Sequence, residues 1–113
     1  MDAAVLSKMA DRGQIKNCIV DGPFAMDNAV SEVAAKHKGI KSEVAGHADI
    51  LLFPDLQVAN AVLKAITYYS GRTTASVTMG TSVPIVMTSR TDSVEGKIYS
   101  IAFSLALSDK TVF

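Results

Sequence analysis

With 49% hydrophobic and 19% charged side chains over 113 residues, the chain has enough apolar content for one cored domain and the wrong balance for a disordered segment. Lys and Arg number 11, as do Asp and Glu, so no net field draws the chain to nucleic acid or to an anionic membrane. Any anion site has to be built locally, and the single cysteine, Cys18, excludes an internal disulfide and a cysteine-rich zinc site and fits a reducing, cytoplasmic setting.

The amino terminus, MDAAVLSKMADRG, has neither a basic n-region nor an apolar stretch of signal length. No later run approaches the roughly 18 apolar residues of a membrane span, so a soluble protein is expected. Val5, Leu6 and Met9 recur at helical spacing between Ala3 and Arg12, and Gly13 reads as the stop of a first helix. Asn17 to Val20 is a short apolar run suited to a buried strand, feeding the loop Asp21, Gly22, Pro23, Phe24. Asp27 is a candidate N-cap for a helix with Ala29, Val30, Val33 and Ala34 inward and Glu32 paired to Lys36. Lys36, His37 and Lys38 suit the negative end of its dipole, and Gly39 suits the left-handed C′ position.

Ile50 to Phe53 predicts a second strand, followed by Pro54 and the N-cap Asp55 of a helix with Leu56, Ala59, Leu63 and Ile66 on one face, closing at Gly71. Ala75 to Met79 and Val83 to Met87 predict two more strands separated by Gly80, Thr81 and Ser82. The last helix is expected from about Ser93 to Leu107, with Val94, Ile98, Ile101, Ala102 and Leu105 as its inward stripe. Unbroken apolar runs alternating with amphipathic helices predict an α/β fold, a mostly parallel sheet flanked by helices, as one segment over residues 1–113. A chain that opens on a helix and offers four strands reads as the carboxyl-terminal part of a larger α/β protein.

Ligands in such sheets bind beyond the carboxyl ends of strands, which makes DGPFAMD, FPDL and TSRTDS the candidate loops. In the third, a helix starting near Ser93 directs unpaired N–H groups at the loop, Arg90 adds a planar fork of donors, and Thr88 and Ser89 add hydroxyls. Two readings stand side by side: a phosphate-sized site, or capping residues beside a solvated arginine. Asp21, Asp27 and Asp55 read as turn and cap residues, and His37 as a cation at a helix end. His47 has no second ligand at metal spacing, and Cys18 reads as a small buried hydrophobe. Tyr68 and Tyr69 read as helix packing or a partner surface.

Taken in order, VDGPFAMDNAVSEVAAKHKG, SEVAGHADILLFPDLQVANAVLKA and VPIVMTSRTDSVEGKIYSIA resemble the carboxyl-terminal region of the phosphate acetyltransferase and phosphate butyryltransferase family, from about Cys18 to Ala106. DNAVSEVAAKHKG and TSRTDS look nearer the butyryl branch. The resemblance implies an isocitrate or isopropylmalate dehydrogenase-like fold, two lobes around a cleft, as a homodimer. It implies reversible transfer of a short acyl group between coenzyme A and inorganic phosphate, with acyl phosphate as the other product, no metal and no covalently bound cofactor. By the same resemblance Ser89 and Arg90 lie in the cleft. Arg90 would hold phosphate and Ser89 the reacting carbonyl or thiol. The resemblance places the general base of the acetyl branch on an aspartate where this chain has Gly96, so Asp92 or Glu95 is the expected substitute base.

Family members are longer, which keeps other functions in view. One is an inactive truncated module that docks coenzyme A or a subunit. Another is a different acyltransferase on the same fold, or the regulatory tail of a malic enzyme.

Overall fold

The structure, a computed structural model, describes residues 1–108. It forms two compact units, Met1–Ala59 and a second from Asn60 onward. In the first unit α1 spans Asp2–Asp11, α2 Met26–Val30 and α3 Glu32–His37.

Gly13 stops α1 as its position suggests. At φ +70° it turns the chain so that Gly13 N–H reaches Ala10 O and Gln14 N–H reaches Met9 O, a Schellman closure. Gly39 repeats the device after α3, at φ +65°, with Gly39 N–H on Lys36 O and Ile40 N–H on Ala35 O.

The single helix expected after Asp27 is two. Ser31 leaves helical geometry at φ −130°, ψ 112°, and its hydroxyl accepts from Ala34 N–H at 3.3 Å. A serine that caps satisfies an otherwise unpaired donor, and here it restarts the helix rather than continuing it. Asp27 therefore lies inside α2, and its carboxylate takes Asn28 N–H at 2.9 Å and Lys38 Nζ at 3.0 Å.

The small core of this unit is Ala29, Ala35 and Ala45 with the side chain of Asn28. The segment 42–48 lies against the α2–α3 break through Gly46 N–H to Asn28 O and Ala48 N–H to Ala29 O.

The expected Glu32–Lys36 pair forms at 2.8 Å. Its hydrogen bond holds the Glu32 carboxyl below the ordinary 4.5, and Lys38 holds Asp27 below 3.8. Because both folded-state values are depressed, these pairs stabilise the fold above the unfolded values and lose that contribution as pH falls through the folded ones. We expect the melting temperature to hold from neutrality to about pH 5 and to fall between there and about pH 3. The fall should shrink in high salt, since both pairs are solvent-exposed, and should be smaller in Asp27→Asn. Melts across that range at two salt concentrations test it.

α4 spans Leu56–Tyr69 and α5 Val94–Ser108. Asp55 caps α4 as its position predicts, accepting from Val58 N–H at 2.8 Å, and Gly71 follows the helix at φ +63°.

The expected parallel sheet is not present among the described residues. The runs 17–20, 50–53, 75–79 and 83–87 form no ladder, and the one bridge is antiparallel, Thr78 to Ile85, with Thr78 N–H on Ile85 O at 2.8 Å. Parallel pairing needs a crossover of roughly a dozen residues. The short link from Gly80 to Ser82 allows only the antiparallel sense, and Pro84 withholds a donor beside the bridge. Near the first run Asn17 takes φ +64°, Ile19 is 67% exposed, and Cys18 is exposed rather than buried.

α5 faces opposite to its expected stripe. Val94, Ile98, Ile101 and Leu105 are exposed, while Gly96, Ser100 and Ser104 are buried. Backbone, not side chains, packs on this face. Ser76 N–H donates to Ser100 Oγ at 2.9 Å, Ser100 Oγ donates to Gly96 O at 2.8 Å, and a Cβ on Gly96 would lie 3.1 Å from Thr74 O. Such close approach selects small residues over bulky apolar ones.

Ser76 Oγ in turn donates to Met87 O at 3.2 Å, which ties the residue preceding Thr88 back to α5. Ser100 is 1% exposed, so Ser100→Ala strands the Ser76 N–H and is expected to cost about 1–3 kcal/mol. Denaturant unfolding of the variant measures this.

Candidate functional site

The polar break after Met87 folds into a tight turn from Ser89 to Asp92. Asp92 N–H donates to Ser89 O at 3.1 Å, and Ser89 N–H donates back to Asp92 Oδ2 at 2.7 Å. Ser89 Oγ lies 3.0 Å from Thr91 Oγ1 and accepts from Thr91 N–H at 3.3 Å. Arg90 stands exposed at the turn's apex, while Thr88, Ser89 and Asp92 are half-buried. Ser93 caps α5, taking Gly96 N–H on its hydroxyl at 3.0 Å. The N–H groups of Val94 and Glu95, in the first turn of a 15-residue helix, have no hydrogen-bond partner among the described residues. Helix geometry leaves such donors free for an anion.

The three residues singled out from the sequence, Ser89, Arg90 and Asp92, thus fall within one turn. Asp92 acts on the backbone there: its carboxylate fixes the Ser89 amide and so the direction in which Ser89 and Arg90 leave the chain. Glu95, the other candidate carboxylate, accepts the Tyr99 hydroxyl at 2.8 Å, and this hydrogen bond raises the Tyr99 pKa above its ordinary 10.0.

Beside the turn is an open cleft of about 330 Å³, lined on one side by Thr91, Asp92, Ser93, Glu95 and Gly96 and on the other by the end of α4 and the segment Gly71–Thr74. Arg72, Thr73 and Thr74 of that segment are functional-site candidates that the sequence reading misses. A basic residue followed by two hydroxyls after a positive-φ glycine was the available signal. Gly96 is buried against this segment, and a side chain there has to displace the Thr74 carbonyl by a few tenths of an ångström or reach past Ser93 Oγ at 3.3 Å. Gly96 is therefore a close-packed glycine in this chain.

The other candidate loops belong to the first unit. Asp21 accepts from the adjacent Gly22 N–H at 2.7 Å, Asp27 is paired with Lys38, and Asp55 is a cap. His47 Nε2 lies 4.0 Å from Glu32 Oε1 on the surface. Among the described residues no three His, Cys, Asp or Glu side chains converge as a metal site, and no helix is long and apolar enough to cross a membrane.

Residues 1–105 match the model of the family described as phosphate acetyl/butaryl transferase. The chain is 61% identical to a phosphate acetyltransferase of Thermotoga maritima, over 92% of this chain and 35% of that protein. It is 55% identical to a phosphate butyryltransferase of Clostridium beijerinckii, over 92% of this chain and 34% of that protein. Among solved structures, a branched-chain phosphotransacylase from Enterococcus faecalis superposes with a TM-score of 0.76 at 36% identity, over 93% of this chain and 39% of that one. The chain thus spans about a third of the length of the curated relatives it matches. Similar identities to both named activities leave the acyl group unselected.

Proposed function

Because this chain belongs to the phosphate acetyl/butaryl transferase family, we propose that it supplies the phosphate- and acyl-handling turn of an enzyme moving a short acyl group reversibly between coenzyme A and inorganic phosphate. The observation that carries the reading is the clasped turn Ser89–Asp92, which holds Arg90 at its apex and leads directly into the Ser93 cap of α5. A guanidinium matches two phosphate oxygens at once, and the helix terminus adds partial positive charge.

In the acyl phosphate-forming direction an oxygen of hydrogenphosphate attacks the thioester carbonyl, the carbon–sulfur bond breaks, and coenzyme A leaves as thiolate and takes up the proton that the hydrogenphosphate gives up. Arg90 holds the phosphate, and the Ser89 hydroxyl donates to the carbonyl oxygen or the sulfur as negative charge grows there. Asp92 keeps both in place by fixing the turn. The same reading includes a homodimer in a reducing cytoplasm. It also includes an α/β arrangement in which the apolar runs at 50–53 and 83–87 pair with strands from elsewhere in the complete enzyme.

The chain's short coverage of its relatives favours binding without turnover by these 113 residues alone, since catalysis needs groups held on both sides of the reacting atoms. Calorimetry with inorganic phosphate and with coenzyme A should show binding of at least one, with little phosphate-dependent release of coenzyme A from butyryl- or acetyl-coenzyme A. A null result for both ligands removes the proposal.

A further inference from the structure

Arg90 has no ion-pair partner among the described residues, although two carboxylates close by in sequence, Asp92 and Glu95, line the cleft beside its turn. Each is engaged by a neutral donor instead. Asp92 Oδ2 takes the Ser89 N–H at 2.7 Å, and Glu95 Oε1 takes the Tyr99 hydroxyl at 2.8 Å. The first contact closes the turn itself. The second closes nothing: Glu95 and Tyr99 are both exposed, one helical turn apart, and their hydrogen bond ties the carboxylate to its own helix. Without that tether Glu95 is a long, flexible anion near an unpaired guanidinium, and a guanidinium matches the oxygens of a carboxylate as well as those of phosphate.

We propose that Tyr99 is a positioning residue for the phosphate-handling turn: by holding Glu95 it keeps that carboxylate from occupying Arg90 in place of phosphate. This role rests on Arg90 being the phosphate holder. The raised pKa of Tyr99 agrees with it, since the phenol keeps its proton directed at Glu95 throughout the neutral range. Tyr99→Phe removes one oxygen and leaves a ring that is already 47% exposed, so helical content and urea midpoint should barely move. Arg72, on the opposite wall of the cleft, is the other cation that a released Glu95 could meet.

The test is a double-mutant cycle on phosphate affinity: calorimetry with inorganic phosphate, at one pH and salt concentration, on the wild-type chain, Tyr99→Phe, Glu95→Gln and the double variant. Tyr99→Phe is expected to weaken binding about two- to fivefold, the scale on which an exposed ion pair competes. In the Glu95→Gln background the same substitution should leave the affinity where it was, because no carboxylate remains to be released. Weakening of equal size in both backgrounds would make Tyr99 a structural residue only and overturn the proposal. Equal affinities in wild type and Tyr99→Phe would overturn it too, the released carboxylate then staying in solvent or going to Arg72. Arg90→Ala separates the two levels. No phosphate binding, or binding indifferent to Arg90→Ala, removes the reading of the turn and this role with it, whereas binding that needs Arg90 but ignores Tyr99 overturns this role alone.

Discussion

Arg90→Ala is expected to weaken binding of inorganic phosphate by this chain roughly ten- to a hundredfold, the equivalent of about 1.5–3 kcal/mol for a hydrogen-bonded charge. The side chain is exposed at the apex of the Ser89–Asp92 turn and has no ion-pair partner among the described residues, so its removal should leave the fold intact. The substitution therefore separates affinity from stability. Arg90→Lys keeps the charge but loses the planar fork, and should fall between the two. The turn itself survives in both variants, because its hydrogen bonds run between Ser89, Thr91 and Asp92. Calorimetry of the three proteins at one salt concentration measures the series, and an unchanged phosphate affinity in Arg90→Ala would take the site away from this turn.

Gly46→Ala is expected to be the most damaging single change in the first unit, at about 2–5 kcal/mol. Two costs combine there. Gly46 has φ +86°, a conformation unfavourable for residues with a Cβ, and an added Cβ would lie 2.6 Å from Glu32 Cα and 2.7 Å from Glu32 N. The obstruction is backbone at the first residue of α3, which cannot swing aside without disturbing the Ser31 cap. Gly39→Ala is the control: φ is +65° but nothing lies within 4 Å of the added atom, so only the conformational cost of about 1–2 kcal/mol applies. Urea unfolding should rank Gly46→Ala well below Gly39→Ala, and equal losses would contradict the packing described.

Features decided within a few residues were legible in the sequence. Gly13 and Gly39 close their helices, Asp55 and Ser93 open theirs, and Glu32 meets Lys36, because each depends on short-range geometry alone. Ser31 shows the limit even there: it fits both the interior of one helix and the cap of another, and the chain takes the cap. What depends on distant partners was not legible. The apolar runs have strand composition, but a ladder needs a neighbour at the right register, and among the described residues only Thr78 and Ile85 pair, as a single bridge. On α5 the spacing predicts an inward apolar stripe, whereas the approach of the Thr74–Ser76 backbone claims the small residues. The expectation of a buried Cys18 rests on a strand that does not form, and the thiol is exposed.

The same division holds at the candidate site. TSRTDS stood out as a polar break before a helix, and Ser89, Arg90 and Asp92 do share one turn. Its clasp from the Asp92 carboxylate to the Ser89 amide is a backbone contact that composition does not reveal. The opposite wall of the cleft, Arg72 to Thr74, comes from a segment that precedes the turn by the length of two apolar runs. Its proximity follows from the Ser76 links to Ser100 and Met87, and no spacing rule announces them.

The most direct measurement is a titration of the ¹⁵N-labelled chain with inorganic phosphate, followed at backbone amides. Saturable shifts at Ser89, Arg90, Thr91, Val94 and Glu95, displaced by acetyl or butyryl phosphate and lost in Arg90→Ala, are predicted. Shifts that scatter over exposed lysines, or no saturation at these amides, would contradict the claim that this turn is where the chain holds phosphate.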